Sequence, residues 1–408
     1  MKWLAGLSLV VLLTGASAAA QVPPPDPTQG DGRVSIFYRW LDNIPESPGR
    51  MLRSEPLEPG LGITNVGRQL RLLYSSTDGV DGKTPTVVSA AYYEPKGEPP
   101  PNGWPLLAWA HGTTGVADIC APSVQARVMF EITYLNTWLE QGFAIVATDY
   151  QGLGTPGPHP YMQGRPAAYS VLDSLRAVLQ DQPRLANRIV LAGFSQGAHA
   201  AFSTAGYAPI YATDLNIRAV IGIGIPYPTR EFLSRPLAEV IGPEDRPDPT
   251  VAYNLYLALV MQQRNPNFIA GQVLTGRGLP FLDLARASCV GALFYDATSA
   301  GLNRANTLEV INYRDEYLKI LPGMEYPTMR LTVPLFVGAG ENDRDVPLTR
   351  QLSLVTNACE AGTVVEAHVY RGLSHVQSVD ASLKDAIPFA RKALAGESIT
   401  AICEPVTE

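Results

Sequence analysis

The residue best suited to do chemistry is the serine at the centre of Gly193-Phe194-Ser195-Gln196-Gly197. Before it runs Arg188-Ile189-Val190-Leu191-Ala192, whose branched aliphatics read as a buried strand. After it runs Ala198-His199-Ala200-Ala201-Phe202, which reads as the opening of a small-residue helix. Strand, sharp turn and helix hold a hydroxyl at the tip of a strained bend, and glycines two residues to either side let strand and helix close on each other. This is the setting of a serine nucleophile. The five-residue string is weakly specific by itself, so the reading turns on whether a base, an acid and an oxyanion site accompany it.

They follow in chain order. The strand-like stretch 333–338 runs into Gly340-Glu341-Asn342-Asp343-Arg344-Asp345-Val346-Pro347, a loop with three carboxylates, any of which can orient a histidine. A further strand, 363–370, runs into Arg371-Gly372-Leu373-Ser374-His375. Of the five histidines, His375 suits the base, because it completes the order serine, acid, histidine. The imidazole takes the serine proton while the carboxylate fixes its tautomer and stabilises the imidazolium. His111, His159, His199 and His368 read as structural. His111-Gly112-Thr113-Thr114-Gly115 closes an apolar strand, 104–110, and such a glycine-bracketed loop directs backbone N–H groups at a developing oxyanion.

The elements that hold these groups alternate. Stretches 68–74 and 86–93 read as an antiparallel pair around Asp78-Gly79-Val80-Asp81-Gly82. A helix over 127–141, a strand over 143–148, a helix over 166–180 and a strand over 218–225 then imply a mostly parallel sheet with helices on both faces, an α/β fold. From Pro226 the rhythm breaks for about a hundred residues, with apolar helices over 251–261 and 281–287, and resumes at 333. Residues 226–329 therefore read as an inserted helical cap or lid over the active edge of a body made of 33–225 and 330–408. Residues 36–57 read as irregular. A last helix over 379–395 leaves Cys403 in a tail.

With 408 residues, 46% hydrophobic and 17% charged, the chain can bury a large core. Its net charge of −7 comes with no basic run, which argues against a nucleic-acid partner. Lys2, an apolar stretch over 3–13 and the small residues Ala16-Ser17-Ala18 and Ala18-Ala19-Ala20 read as a cleavable signal peptide over 1–20. A proline-rich leader, 21–32, follows. A secreted or periplasmic protein is expected, so Cys120, Cys289, Cys359 and Cys403, too widely spaced for a zinc site, read as two disulfides in any of three pairings. No metal or organic cofactor is expected.

Taken together, Pro48-Gly49 through Leu57, the loop from Ala110 to Gly115 with Cys120-Ala121-Pro122-Ser123, the stretch from Asp149 to Gly157 with His159-Pro160-Tyr161, the Gly193–Gly197 elbow, the Gly340–Pro347 loop and Ser374-His375 resemble the secretory lipases of the α/β-hydrolase superfamily, in their bacterial form. The resemblance implies an esterase or lipase with Ser195 as nucleophile, His375 as base and Asp343, from a G-x-x-D-x-x-V-P pattern, as acid, with Asp345 in reserve. It implies an oxyanion hole from the N–H groups of Gln196 and Thr113, and disulfides Cys120 to Cys289 and Cys359 to Cys403. Small-molecule or lipid esters are the implied substrates, with transient contact to a lipid interface. The same triad also serves acyltransferases and serine peptidases, and a non-catalytic binding module would need a missing triad member.

Overall fold

The computed structural model of the chain describes residues 32–233 and 246–407. The expected signal segment 1–20, and all of the leader but its last residue, lie outside them. The β-favouring runs form one sheet of ten strands: β1 (Met51–Pro56), β2 (Arg68–Thr77), β3 (Pro85–Glu94), β4 (Trp104–Ala110), β5 (Ala144–Thr148), β6 (Leu185–Phe194), β7 (Ile217–Ile223), β8 (Leu335–Gly340), β9 (Val365–Tyr370) and β10 (Ile402–Thr407). Along β4, Leu106, Ala108 and Ala110 join one hydrophobic cluster while Leu107 and Trp109 join another, as the two-residue period of a strand requires. β6 does the same, with Ile189 and Leu191 on one side and Val190, Ala192 and Phe194 on the other. Strands with no wet face must be central. The order is β1-β2-β3-β5-β4-β6-β7-β8-β9-β10, antiparallel from β1 to β5 and parallel between every neighbouring pair from β5 to β10.

Helices cover both faces. α1 (Met129–Glu140) lies on one face and α2 (Gly164–Asp181) and α3 (Gln196–Tyr211) on the other, the last two burying Val171, Leu175, Val178, Ala198, Ala201, Phe202 and Ala205 at helical spacing. Between β7 and β8 come α4 (Arg230–Leu233), α5 (Val251–Arg264), α6 (Ala270–Val273), α7 (Leu279–Ala287), α8 (Val290–Ser299), α9 (Arg304–Thr307) and α10 (Val310–Met324). α5, α6, α7, α8 and α10 share a hydrophobic cluster of their own, into which the body contributes Val116 and Tyr161. α11 (Leu348–Glu360) follows β8, and α12 (Gln377–Ala395) follows β9 and packs on the α1 face.

Three elements differ from the sequence reading. Residues 36–57 contain β1, which pairs with β2 although none of its six residues is buried. An edge strand held by its ladder alone carries no apolar alternation to read. At the opposite edge the expected tail is β10, parallel to β9, again largely exposed and tethered by its cysteine. α11 was not expected, because its buried stripe of Gln351, Leu354, Val355 and Ala358 contains a polar residue. The disulfides join Cys120 to Cys289 and Cys359 to Cys403, the pairing the resemblance implied, and no free cysteine occurs among the described residues.

Cys359 and Cys403 are 44 residues apart, so replacing both with serine should lower unfolding free energy by up to about 4 kcal/mol. β10 joins the sheet at the edge away from β6, so turnover of the folded protein should be unchanged. Denaturant unfolding beside an activity assay checks both.

Candidate active site

Ser195 lies between β6 and α3 with φ 57° and ψ −120°, a left-handed conformation that a residue with a side chain adopts only under constraint. The constraint is local packing. A Cβ on Gly193 would collide with the carbonyl of Gly197, and one on Gly197 with the carbonyl of Ala110. The Ser195 N–H donates to the Ile223 carbonyl at 2.8 Å, and the His199 N–H to the Ser195 carbonyl at 3.2 Å. The serine side chain makes no capping bond, so its hydroxyl is not consumed by the helix it begins. The first N–H groups of α3, that of Gln196 included, lack intrahelical partners and create an electropositive spot there.

The loop after β4 is held from three sides. Tyr150, itself at φ 73°, sends its hydroxyl to the His111 carbonyl at 2.9 Å and lays its ring 4.4 Å from that of His111. Thr113 Oγ1 and the Tyr161 hydroxyl are hydrogen-bonded at 2.7 Å, and the Thr114 carbonyl accepts from the N–H of Val290 in α8 at 2.8 Å. A Cβ on Gly112 would come within 3.0 Å of the Phe194 ring, so this loop runs alongside the elbow. The Gln196 side chain turns away from it, its amide donating to His159 Nε2 at 3.0 Å. Only the Gln196 backbone is therefore available to an oxyanion.

His375 Nδ1 donates to Asp343 Oδ2 at 2.6 Å, and both side chains are buried. Asp343 Oδ1 accepts from the N–H groups of Asp345 at 2.9 Å and Val346 at 2.8 Å, and Oδ2 also accepts from Gln351 Nε2 at 3.0 Å. The other two carboxylates of the loop are committed elsewhere. Glu341 accepts from the N–H of Gly372 at 2.7 Å, and Asp345 from the hydroxyl of Tyr253 in α5 at 2.8 Å. The His375 ring rests 4.5 Å from that of Phe194, the residue before the serine. Gly224, at φ 60°, leaves it room: a Cβ there would stand 2.5 Å from His375 Cε1. With Nδ1 protonated toward Asp343, the imidazole lone pair is on Nε2, which is buried with no partner among the described residues. No hydrogen bond joins it to Ser195 in the free protein.

Ser195, Asp343, His375, Thr113 and Gln196 thus all follow parallel strands at the same edge of the sheet, where open α/β sheets carry their sites. The remaining histidines are engaged otherwise. His159 Nδ1 donates to the Gln151 carbonyl at 2.8 Å, His199 Nε2 to the Met324 carbonyl at 2.6 Å, and His368 lies 3.3 Å from Glu366. Desolvation brings both His159 and His199 down to about 4. Gly224, Tyr150 and Gln351 were not singled out by the sequence reading. Gly224 had a signal in the Ile221-Gly222-Ile223-Gly224-Ile225 run, whereas nothing local marks Gln351. Among the described residues no group of three or more His, Cys, Asp or Glu is arranged to hold a metal ion.

Similarity to known proteins bears on the same region. The family model described as secretory lipase matches residues 120–229, a span that includes the elbow. Lipase A of Moesziomyces aphidis is 23% identical over 431 aligned residues, covering 97% of this chain and 88% of that protein. Over residues 120–229 the chain is similar to the secretory lipases. Lipase 7 of Candida albicans is 32% identical over 119 residues, 26% of this chain and 27% of that one. Among solved structures, Candida antarctica lipase A in its closed state superposes with a TM-score of 0.71 at 19% identity, covering 89% of this chain and 86% of that one. The rice cell wall degrading esterase LipA from Xanthomonas oryzae superposes at 0.67 with 18% identity, covering 86% and 99%. At those identities the structures establish a shared fold, that of the α/β-hydrolases.

Two outcomes follow from the geometry. Gly224→Ala forces His375 from its seat, so turnover should fall at least about tenfold, the equivalent of roughly 1.4 kcal/mol, in a protein with native circular dichroism. His199, neutral when folded down to about pH 4, has an ordinary value of 6.5, so between those values the unfolded chain holds more protons and folding loses stability as pH falls. Asp173, raised by burial to about 6, acts in the opposite direction, so the check is a comparison. His199→Gln should gain stability relative to the parent as pH drops from about 6.5 to about 4. A pH-independent difference in thermal midpoints would contradict this.

Proposed function

We propose that this protein is a serine carboxylic-ester hydrolase, a lipase or esterase, that cleaves acyl esters through an acyl-enzyme with Ser195, His375 and Asp343 as triad. The observation that carries the reading is the buried His375–Asp343 pair, seated on the residue that precedes a left-handed serine. Ester or lipid-ester substrates accord with the secretory lipase family.

Ser195 Oγ attacks the ester carbonyl carbon as its proton passes to His375 Nε2, while Asp343 keeps Nδ1–H directed at itself and stabilises the imidazolium. The oxyanion accepts from the N–H groups of Gln196 and Thr113, groups fixed before the charge develops. Nε2 returns the proton to the leaving alkoxide. Water then repeats the sequence on the acyl-enzyme and releases the acid. The Ser195–His375 bond missing from the free protein fits this course, since catalytic hydrogen bonds often tighten only with substrate bound. The insertion, residues 226–329, acts as the cap that admits substrate and can meet a lipid interface, over a body formed by 33–225 and 330–408. Residues 1–20 direct export, and two disulfides accord with a secreted or periplasmic enzyme.

The test is hydrolysis of p-nitrophenyl esters. Ser195→Ala and His375→Ala should each reduce kcat by about 10⁴-fold or more, and the double variant no further, because the triad acts as a unit. Asp343→Asn should cost far more than Asp345→Asn. Near-parental turnover in Ser195→Ala would refute the mechanism, and a larger loss in Asp345→Asn would transfer the acid role to Asp345.

A further inference from the structure

Among the described residues the triad acid has one side-chain donor besides histidine, and it comes from an element outside its own loop. Gln351, fully buried on α11, uses one Nε2 proton for Asp343 Oδ2 at 3.0 Å and the other for the Val346 carbonyl at 2.8 Å. The orientation of the amide is settled by chemistry, because reversing it would set Oε1 against two oxygen acceptors. Its own Oε1 is buried with no partner among the described residues. An orphaned carbonyl is a standing cost that an aliphatic side chain at this place would avoid.

We propose that Gln351 is a positioning residue of the catalytic acid. Its bond to Oδ2 holds the Asp343 carboxylate in the plane that meets His375 Nδ1 and shares the charge on the oxygen that His375 uses, while its bond to the Val346 carbonyl fixes the amide that donates it. Val346 is fixed twice, its N–H on Asp343 Oδ1 and its carbonyl on Gln351 Nε2, so loop, acid and α11 form one closed ring of hydrogen bonds. Backbone donors hold Oδ1 alone. Without Gln351 the carboxylate can rotate about its Cβ–Cγ bond, which detunes His375 while leaving ester binding intact. The inference rests on the triad reading given above and deepens it.

Gln351→Leu keeps the volume, removes both donors and also removes the orphan. kcat should fall by about ten- to a hundredfold, the rate equivalent of one charge-assisted hydrogen bond, while KM changes less than about twofold. The low-field proton resonance of His375 Nδ1–H, identified by its loss in His375→Gln, should shift or broaden. Gln351→Glu, isosteric but acceptor-only when ionised, should reduce kcat at least as much at neutral pH. If Gln351→Leu does not fold, Gln351→Met carries the same expectations, and both must show the kcat loss without a matching loss of thermal midpoint. An unchanged kcat and an unchanged His375 resonance in a folded variant would overturn the proposal. That outcome would leave the triad standing, because Ser195→Ala, assayed in parallel, fails only if the triad reading itself fails.

Discussion

The structure depends on the close approach of α3 to β4 and β6. Gly193 and Gly197 have carbonyls where any Cβ would stand, and at that contact Ser195 adopts a left-handed conformation at a cost of roughly 1–3 kcal/mol. The packing of Ala198, Ala201 and Phe202 into the sheet offsets it. Three consequences come from one contact. The hydroxyl leaves the helix unbonded, the first N–H groups of α3 face the same space, and Phe194 becomes a platform for the His375 ring.

The second half of the site is a division of labour among three carboxylates within five residues. Only Asp343 turns inward, because two backbone N–H groups of its own loop and Gln351 hold it there. Asp345 instead reaches α5 through Tyr253, and Tyr161, bonded to Thr113, stacks edge-on against Tyr256 of the same helix. The Cys120–Cys289 disulfide and the Val290 bond to Thr114 tie the inserted helices to the other side of the site. The helices between β7 and β8 are therefore fastened both to the loop of Asp343 and to the loop of Thr113.

Much of this was legible in the sequence. Ser195 and Asp343 follow strands whose last residues, Ile189 to Phe194 and Leu335 to Gly340, carry no polar side chain to confuse the pattern, whereas β9 before His375 was read from Val365, Ala367, Val369 and Tyr370 despite Glu366 and His368. β1 and β10 were missed for the complementary reason: their pairing satisfies the backbone while their side chains stay wet, so no periodicity records them. Gln351 and Gly224 were illegible because their roles exist only through contacts with residues 8 and 151 positions away, Asp343 and His375. Choosing Asp343 over Asp345 needed the family pattern, since the residues of the loop alone offered three equivalent acids.

The most direct measurement of the central claim is the mass of the protein after reaction with a fluorophosphonate, followed by mapping of the adduct. A serine activated as described should take up one phosphonyl group per chain, on Ser195, at a rate that collapses when His375 is replaced. A chain that hydrolyses esters yet remains unlabelled, or carries the adduct at another residue, would contradict the account.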